Sequence, residues 1–317
     1  MKIVVLDAYA LNPGDLSWEA LKKLGETRIY ERSTVAETAA RIADANVVLT
    51  NKALLPADII NKAANLKYIG VMATGYNVVD MVAAEKRNIV VTNIPAYSTQ
   101  SVAQLTLAII LELTNHVAIY AQSVRNGEWS KSKDFSYQVK AIMELQHKTL
   151  GIIGLGKIGQ AVAKMALAFG MQVIASHKHL ERDKMEGVRF VNEETCFREA
   201  DMVSLHCPLN EQNKHFVNQQ LLGIMKPSAF LINTSRGGLI NEQDLASALN
   251  ASRIAGAGLD VLSSEPPSEN NPLLHAKNCL ITPHIGWSTY EARHRLMLDV
   301  VKNLVAFQNG NPINVVR

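Results

Sequence analysis

Cysteine is scarce in this chain: Cys196, Cys207 and Cys279 are odd in number and widely spaced among 317 residues. They form neither a disulfide framework nor a CxxC metal pair, so reduced thiols and a cytoplasmic setting are expected. An excess of one charge is also missing. Lys+Arg 32 against Asp+Glu 29 leaves +3, too balanced for a nucleic-acid-binding surface. No hydrophobic run is long enough for a membrane. The longest, Val102–Leu113, is broken by Gln104, Thr106 and Glu112 and reads as a buried helix. The apolar run before Asp7 is far too short for a signal-peptide core, so no targeting segment is expected. No HExxH, Cys/His cluster or paired-carboxylate spacing suggests a metal.

What remains is a chain with ordinary globular composition, 48% hydrophobic and 19% charged. At roughly 100–200 residues per domain, its length predicts two domains. Short apolar runs alternate with amphipathic stretches, the pattern of βαβ units and parallel sheets. The first series of strands is Lys2–Leu6, Thr27–Tyr30, Val47–Leu49, Tyr68–Val71 and Ile89–Thr92, a complete small doubly wound unit. The second is Thr149–Ile153, Met171–Ala175, Met202–Leu205, Ala229–Asn233, Ala257–Val261 and Cys279–Thr282. Two long helices, about Thr99–Asn115 and Thr289–Gln308, remain outside the alternation. The second has no strand left to serve, and one place for it is back on the first domain.

The segment KTLGIIGLGKIGQAVAKMALAFGMQVIAS carries GxGxxG as Gly154, Gly156 and Gly159, directly after an apolar run and before a helix. That context suits a dinucleotide: a tight turn, close backbone approach to a pyrophosphate, and a helix N-terminus facing the phosphates. An acid that binds the adenosine ribose is expected at the end of the next strand. Here the strand runs into Ser176, His177, Lys178 and His179, and the next carboxylate is Glu181. Without the acid its repulsion of a 2′-phosphate is gone, so NADP is favoured slightly over NAD, with Ser176, His177 and Lys178 as its ligands.

Parallel strands deliver their C-terminal ends to one edge. Three successive strands of the second series end in FLINTSRGG, GAGLDVLSSEPP and CLITPHIGWST, which place Arg236, then Asp260 and Glu265, then His284 on the edge that carries the glycine loop. Reduction of a ketone by hydride needs a proton, which a histidinium supplies near neutral pH. A neighbouring carboxylate orients that ring, and an arginine grips a substrate carboxylate while polarising the adjacent carbonyl. Singly, Arg236 also reads as a surface ion-pair former, Glu265 as a turn residue and His284 as one of nine histidines. Together they describe a 2-oxo acid reductase.

The segments GVMATGYNVVD, NIPAYSTQSVAQ, GIIGLGKIGQ, LHCPLNEQNKHF, FLINTSRGGLI, GAGLDVLSSEPP and TPHIGWST span most of the chain. In these the sequence resembles the D-isomer-specific 2-hydroxyacid dehydrogenases, and among them the glycerate dehydrogenases, or hydroxypyruvate reductases. The resemblance implies an α/β fold of two doubly wound parallel-sheet domains. A flavodoxin-like substrate domain, 1–97 and 288–317, would be interrupted by a Rossmann cofactor domain, 98–287. It implies that Arg236 binds substrate, that Glu265 pairs with the imidazole, and that His284 is the general acid and base. Backbone at Ala73, Thr74 and Gly75 would hold the substrate carboxylate. Thr99, Leu155, Lys157, Ile158, Cys207, Pro208, Thr234, Ser235, Asp260, His284 and Gly286 would join the three glycines around the cofactor. A homodimer formed through the cofactor domain is also implied.

Trp129 and Phe135 are expected to pack into their own domain; the other reading sends them into a neighbouring subunit's pocket. The resemblance leaves D-lactate and phosphoglycerate dehydrogenases as runners-up. From another class it leaves a non-catalytic NAD(H)-sensing co-regulator, a reading that expects partner-binding tails outside the core.

Overall fold

Strand β1 (Lys2–Val5) opens a five-stranded sheet with β2 (Glu26–Ile29), β3 (Val47–Thr50), β4 (Tyr68–Val71) and β5 (Val90–Thr92). The computed structural model describes residues 1–316. All pairs in this sheet are parallel, in the order β2-β1-β3-β4-β5. Helices α1 (Ala8–Leu11), α2 (Glu19–Lys22), α3 (Val35–Ile42), α4 (Ala57–Lys62) and α5 (Met81–Lys86) connect the strands. α3 starts where it does because Thr34 and Glu37 form a reciprocal capping box. β3 and β4 are buried at every residue, which is why they read as unbroken apolar runs.

The second unit, residues 99–287, begins with α6 (Thr99–Asn115) and α7 (Val117–Arg125). Its sheet comprises β6 (Thr149–Ile153), β7 (Gln172–Ser176), β8 (Val188–Phe190), β9 (Met202–Leu205), β10 (Phe230–Asn233), β11 (Gly256–Leu259) and β12 (Cys279–Ile281). The helices between them are α8 (Lys157–Ala168), α9 (Glu193–Glu199), α10 (Gln219–Ile224) and α11 (Glu242–Asn250). The seven strands are parallel in the order β12-β11-β10-β9-β6-β7-β8. Alternate residues feed separate cores on the two faces. Ile153, Val203, Leu205 and Leu231 go to one, and Ile152, Met202, Phe230 and Ile232 to the other. The strand order reverses between β6 and β9, where an open α/β sheet forms its ligand crevice.

The chain then returns to the first unit, residues 1–98 and 288–317, as α12 (Tyr290–Gln308). Buried Arg293 clasps Asp15 through two 2.6 Å bonds, Arg295 Nε donates to the Tyr97 carbonyl, and the Phe307 ring packs tilted against Tyr68 with centroids 4.8 Å apart. The unplaced C-terminal helix is thus an integral layer of the first unit. Among the described residues no single helix is long and apolar enough to cross a membrane.

Candidate active site

The glycine loop leaves β6 at the point of reversal, and each glycine answers to a different constraint. Gly154 adopts φ +97°, and a Cβ there would lie 2.7 Å from the Cys207 amide nitrogen at the end of β9. A Cβ on Gly159 would meet the Gly154 carbonyl oxygen at 2.3 Å, so helix and loop pack with no side chain between them. Around Gly156, by contrast, a Cβ would meet nothing within 4 Å. That open face, at the N-cap of α8 where no side chain caps the first turn, is the cradle a pyrophosphate requires. The donors and the space fit a dinucleotide cofactor, with Lys157 and Ile158 in the first turn of α8. Leu155 differs from expectation. Its side chain is fully buried and its N–H donates to His177 Nδ1 at 3.0 Å.

Because all strands run parallel, residues following β10, β11 and β12 come out side by side on this same edge. Arg236 follows β10. Its backbone carbonyl accepts from Asn233 Nδ2 at 2.9 Å, and its exposed guanidinium donates to the Ser235 carbonyl at 2.7 Å. Gly237 sits so close to the next strand's loop that a Cβ would lie 1.9 Å from the Leu262 carbonyl carbon. The Arg236 turn and the loop carrying Glu265 are therefore pressed together. Glu242 fixes that loop from below, accepting from Ser263 N at 2.7 Å and Asn271 Nδ2 at 2.9 Å.

Glu265 Oε1 accepts from Leu262 N at 3.1 Å, while Oε2 lies 2.6 Å from His284 Nδ1. His284 is a non-glycine residue at φ +54°, a conformation that persists only when its surroundings hold it. Three contacts do so: the Glu265 bond, its own N–H on the Thr282 carbonyl at 2.9 Å, and the anchoring of the two residues that follow. That anchor is Asp260, which is 2% exposed. Its Oδ1 accepts from Thr282 Oγ1 at 2.6 Å and Ile285 N at 2.9 Å, and its Oδ2 from Gly286 N at 2.8 Å. The resemblance gave Asp260 to the cofactor; the structure gives it the turn behind His284. With Nδ1 committed to Glu265, Nε2 is the ring nitrogen that can meet a substrate.

Other expected residues divide. Thr234 is buried with its hydroxyl 2.9 Å from that of Thr106 on α6, so it fastens the sheet to the helix. Burial pushes the Cys207 thiol up to about 11, which leaves it a poor nucleophile. Pro208 is exposed, its carbonyl taken by Asn213 Nδ2 at 2.8 Å. Ser235 bonds Asn233 through both its N–H and its hydroxyl at 3.0 Å, and Thr99 opens α6. Gly286 has no room for a side chain: a Cβ would lie 2.9 Å from Asp260 Oδ2. In the first unit, the turn Ala73–Gly75 follows β4, braced by Thr74 Oγ1 on the Ile94 carbonyl and Asn93 Nδ2 on the Thr74 carbonyl.

His206 ends β9 beside Cys207 and Pro208, where its backbone was expected to line the cofactor site and its N–H donates to the Ile153 carbonyl at 2.7 Å; the state of its ring was not legible. Its Nε2 lies 2.8 Å from Ser204 Oγ, its Nδ1 is buried with no partner among the described residues, and burial holds the ring down to about 4. It stands beside the glycine loop as a neutral imidazole. Only its place after β9 signalled a role. Phe135, expected to pack into its own domain, is 91% exposed, whereas Trp129 is 52% exposed with its Nε1 donating to the Phe135 carbonyl at 2.9 Å.

Residues 107–286, more than half of the chain, match the family described as D-isomer specific 2-hydroxyacid dehydrogenase, NAD binding domain. Over 321 aligned residues the chain is 46% identical to a hydroxypyruvate reductase of Blautia hydrogenotrophica, covering 100% of this chain and 99% of that one. It is 38% identical to a glycerate dehydrogenase of Methylorubrum extorquens, covering 99% and 98%. In structure it is similar to an acyclic imino acid reductase solved with NADPH and D-Arg, with a TM-score of 0.87, 31% identity and all of both chains covered.

Proposed function

We propose that this chain, which belongs to the family of D-isomer-specific 2-hydroxyacid dehydrogenases, reduces hydroxypyruvate or glyoxylate with NADH or NADPH and catalyses the reverse oxidation of the D-2-hydroxy acid. The observation that carries the reading is the 2.6 Å His284–Glu265 pair on the sheet edge that also bears the glycine loop. When bound, the nicotinamide supplies the hydride. His284 Nε2 delivers the proton to the nascent alkoxide in reduction and takes it back in oxidation. Glu265 fixes the ring's orientation through Nδ1. Arg236 pairs with the substrate carboxylate and draws charge from the carbonyl. Ala73, Thr74 and Gly75 are assigned to the substrate through their backbone.

The exposed Phe135 and Trp129 side chains support a homodimer formed by the cofactor unit, since large exposed apolar groups in one segment mark an interaction surface. Three free thiols, with two of them pushed up to about 12 by burial, suit a reducing cytoplasm.

The test is NADH and NADPH oxidation with hydroxypyruvate, glyoxylate, pyruvate and 3-phosphohydroxypyruvate in parallel. Fast turnover of hydroxypyruvate or glyoxylate is expected. Turnover of none, with cofactor binding intact, overturns the substrate assignment.

A further inference from the structure

The lean toward NADP(H) rests on a missing acid at the end of β7, and the structure brings one there from another position. His177 follows β7, and its ring is held at both nitrogens. Leu155 N–H donates to Nδ1 at 3.0 Å, and Asp183 Oδ2 lies 2.6 Å from Nε2. A backbone amide only donates, so Nδ1 is the unprotonated nitrogen and the ring's proton is on Nε2, shared with Asp183. The imidazole in this arrangement is neutral and offers no positive charge to a 2′-phosphate. Both side chains are tucked in, 9% exposed for His177 and 13% for Asp183.

Asp183 reaches the strand end through a turn closed by its own N–H on the His179 carbonyl at 3.1 Å. Arg182 lies alongside with Nη2 2.6 Å from the same carboxylate oxygen, but its side chain is 67% exposed. Hydrogen bonds from Arg182, then from His177, hold the Asp183 carboxyl down to about 2. A permanent anion thus stands at the strand end, where the fold reads the adenosine ribose.

We propose that Asp183, positioned by His177, is the specificity-determining acid of this enzyme, disfavouring a 2′-phosphate and biasing the site toward NADH. The inference rests on the chain being an NAD(P)H-dependent enzyme. Two residues of the same loop oppose Asp183. Exposed Lys178 attracts a 2′-phosphate, and Arg182 is free to serve one once its carboxylate partner is removed. The bias is therefore set by Asp183 against these two cations, and a single neutral substitution shifts it.

The experiment measures calorimetric binding of 5′-AMP and of 2′,5′-ADP, together with kcat/KM for NADH and NADPH. It compares the wild type with Asp183→Asn, Asp183→Ser and Lys178→Met. Removing the carboxylate is expected to raise the affinity for 2′,5′-ADP relative to 5′-AMP by about tenfold, and the NADPH/NADH ratio with it. Lys178→Met is expected to move both ratios the other way. The 5′-AMP arm reports whether each variant keeps its site, and the serine variant repeats the test with a smaller side chain. Ratios unchanged within twofold in both Asp183 variants overturn the proposal. A wild type that binds neither nucleotide overturns instead the reading on which it rests.

Discussion

Asp260→Asn separates two roles for a buried carboxylate: holding the turn behind His284, or contacting the cofactor. The wild-type carboxylate accepts three hydrogen bonds, from Thr282 Oγ1, Ile285 N and Gly286 N, at 2.6–2.9 Å in a site only 2% exposed. An asparagine keeps one oxygen for two of these donors and turns its amide toward the third, so one buried donor loses its acceptor. An unsatisfied buried donor costs about 1–3 kcal/mol, and bonds to a charged acceptor are worth about 1.5–3 kcal/mol, so a loss of about 2–3 kcal/mol follows. For a unit of this size that lowers Tm by about 4–12 °C. Ile285 and Gly286 follow His284 directly, so the same loss falls on the left-handed turn that sets its ring against Glu265. At 1.36 kcal/mol per decade, kcat should fall about 30–150-fold. Thermal unfolding, steady-state kcat and the cofactor Kd from fluorescence titration are measured on one preparation, with the Kd expected to move less than threefold. Unchanged Tm and kcat with a tenfold weaker Kd would instead make Asp260 a cofactor ligand.

His284→Ala and Arg236→Ala should each cut kcat/KM for the oxo acid by about 10²–10⁴-fold while the cofactor still binds; loss of binding would make either residue structural instead. Burial holds the His206 ring down to about 4, so between pH 6.5 and 4 the unfolded chain binds a proton that the folded one refuses. Stability from this residue is full above pH 6.5 and lost as pH falls through 4, by about 3 kcal/mol in total. Urea denaturation across that window should show the slope, and His206→Gln should flatten it; equal slopes would place the ring in water. Phe135→Asp should raise the dimer dissociation constant at least tenfold in sedimentation velocity, and an unaltered assembly state would exclude the 115–145 segment as the interface.

The strands were readable because a parallel sheet buried on both faces writes itself as short apolar runs. β6 and β9 lie where the runs predict. The edge strand β8 escaped notice because its three residues, Val188–Phe190, are never fully buried and carry an arginine in the middle. The first long helix ends at Asn115 as expected, and His116, at φ +52°, turns the chain into α7, a helix that was not expected. Strand-end placement brought out Arg236, Glu265 and His284, since each is fixed by the chain's own register. What side chains do across space was illegible. Asp183 lies beyond the nearer carboxylate Glu181, and only a folded turn brings it to His177. Asp260 reads as a strand-end acid facing the crevice, yet its oxygens are committed to the backbone behind the histidine. Phe135 looks like a core residue by type and is not one.

Stereospecific reduction of a 2-oxo acid is what His284, Glu265 and Arg236 are proposed to perform together. The most direct measurement is chiral analysis of the glycerate formed from hydroxypyruvate and NADH or NADPH by the wild type and by His284→Ala. D-glycerate alone from the wild type, and turnover lower by at least a hundredfold in the variant, is the predicted result. L-glycerate, a racemic product, or an undiminished rate without His284 would contradict it.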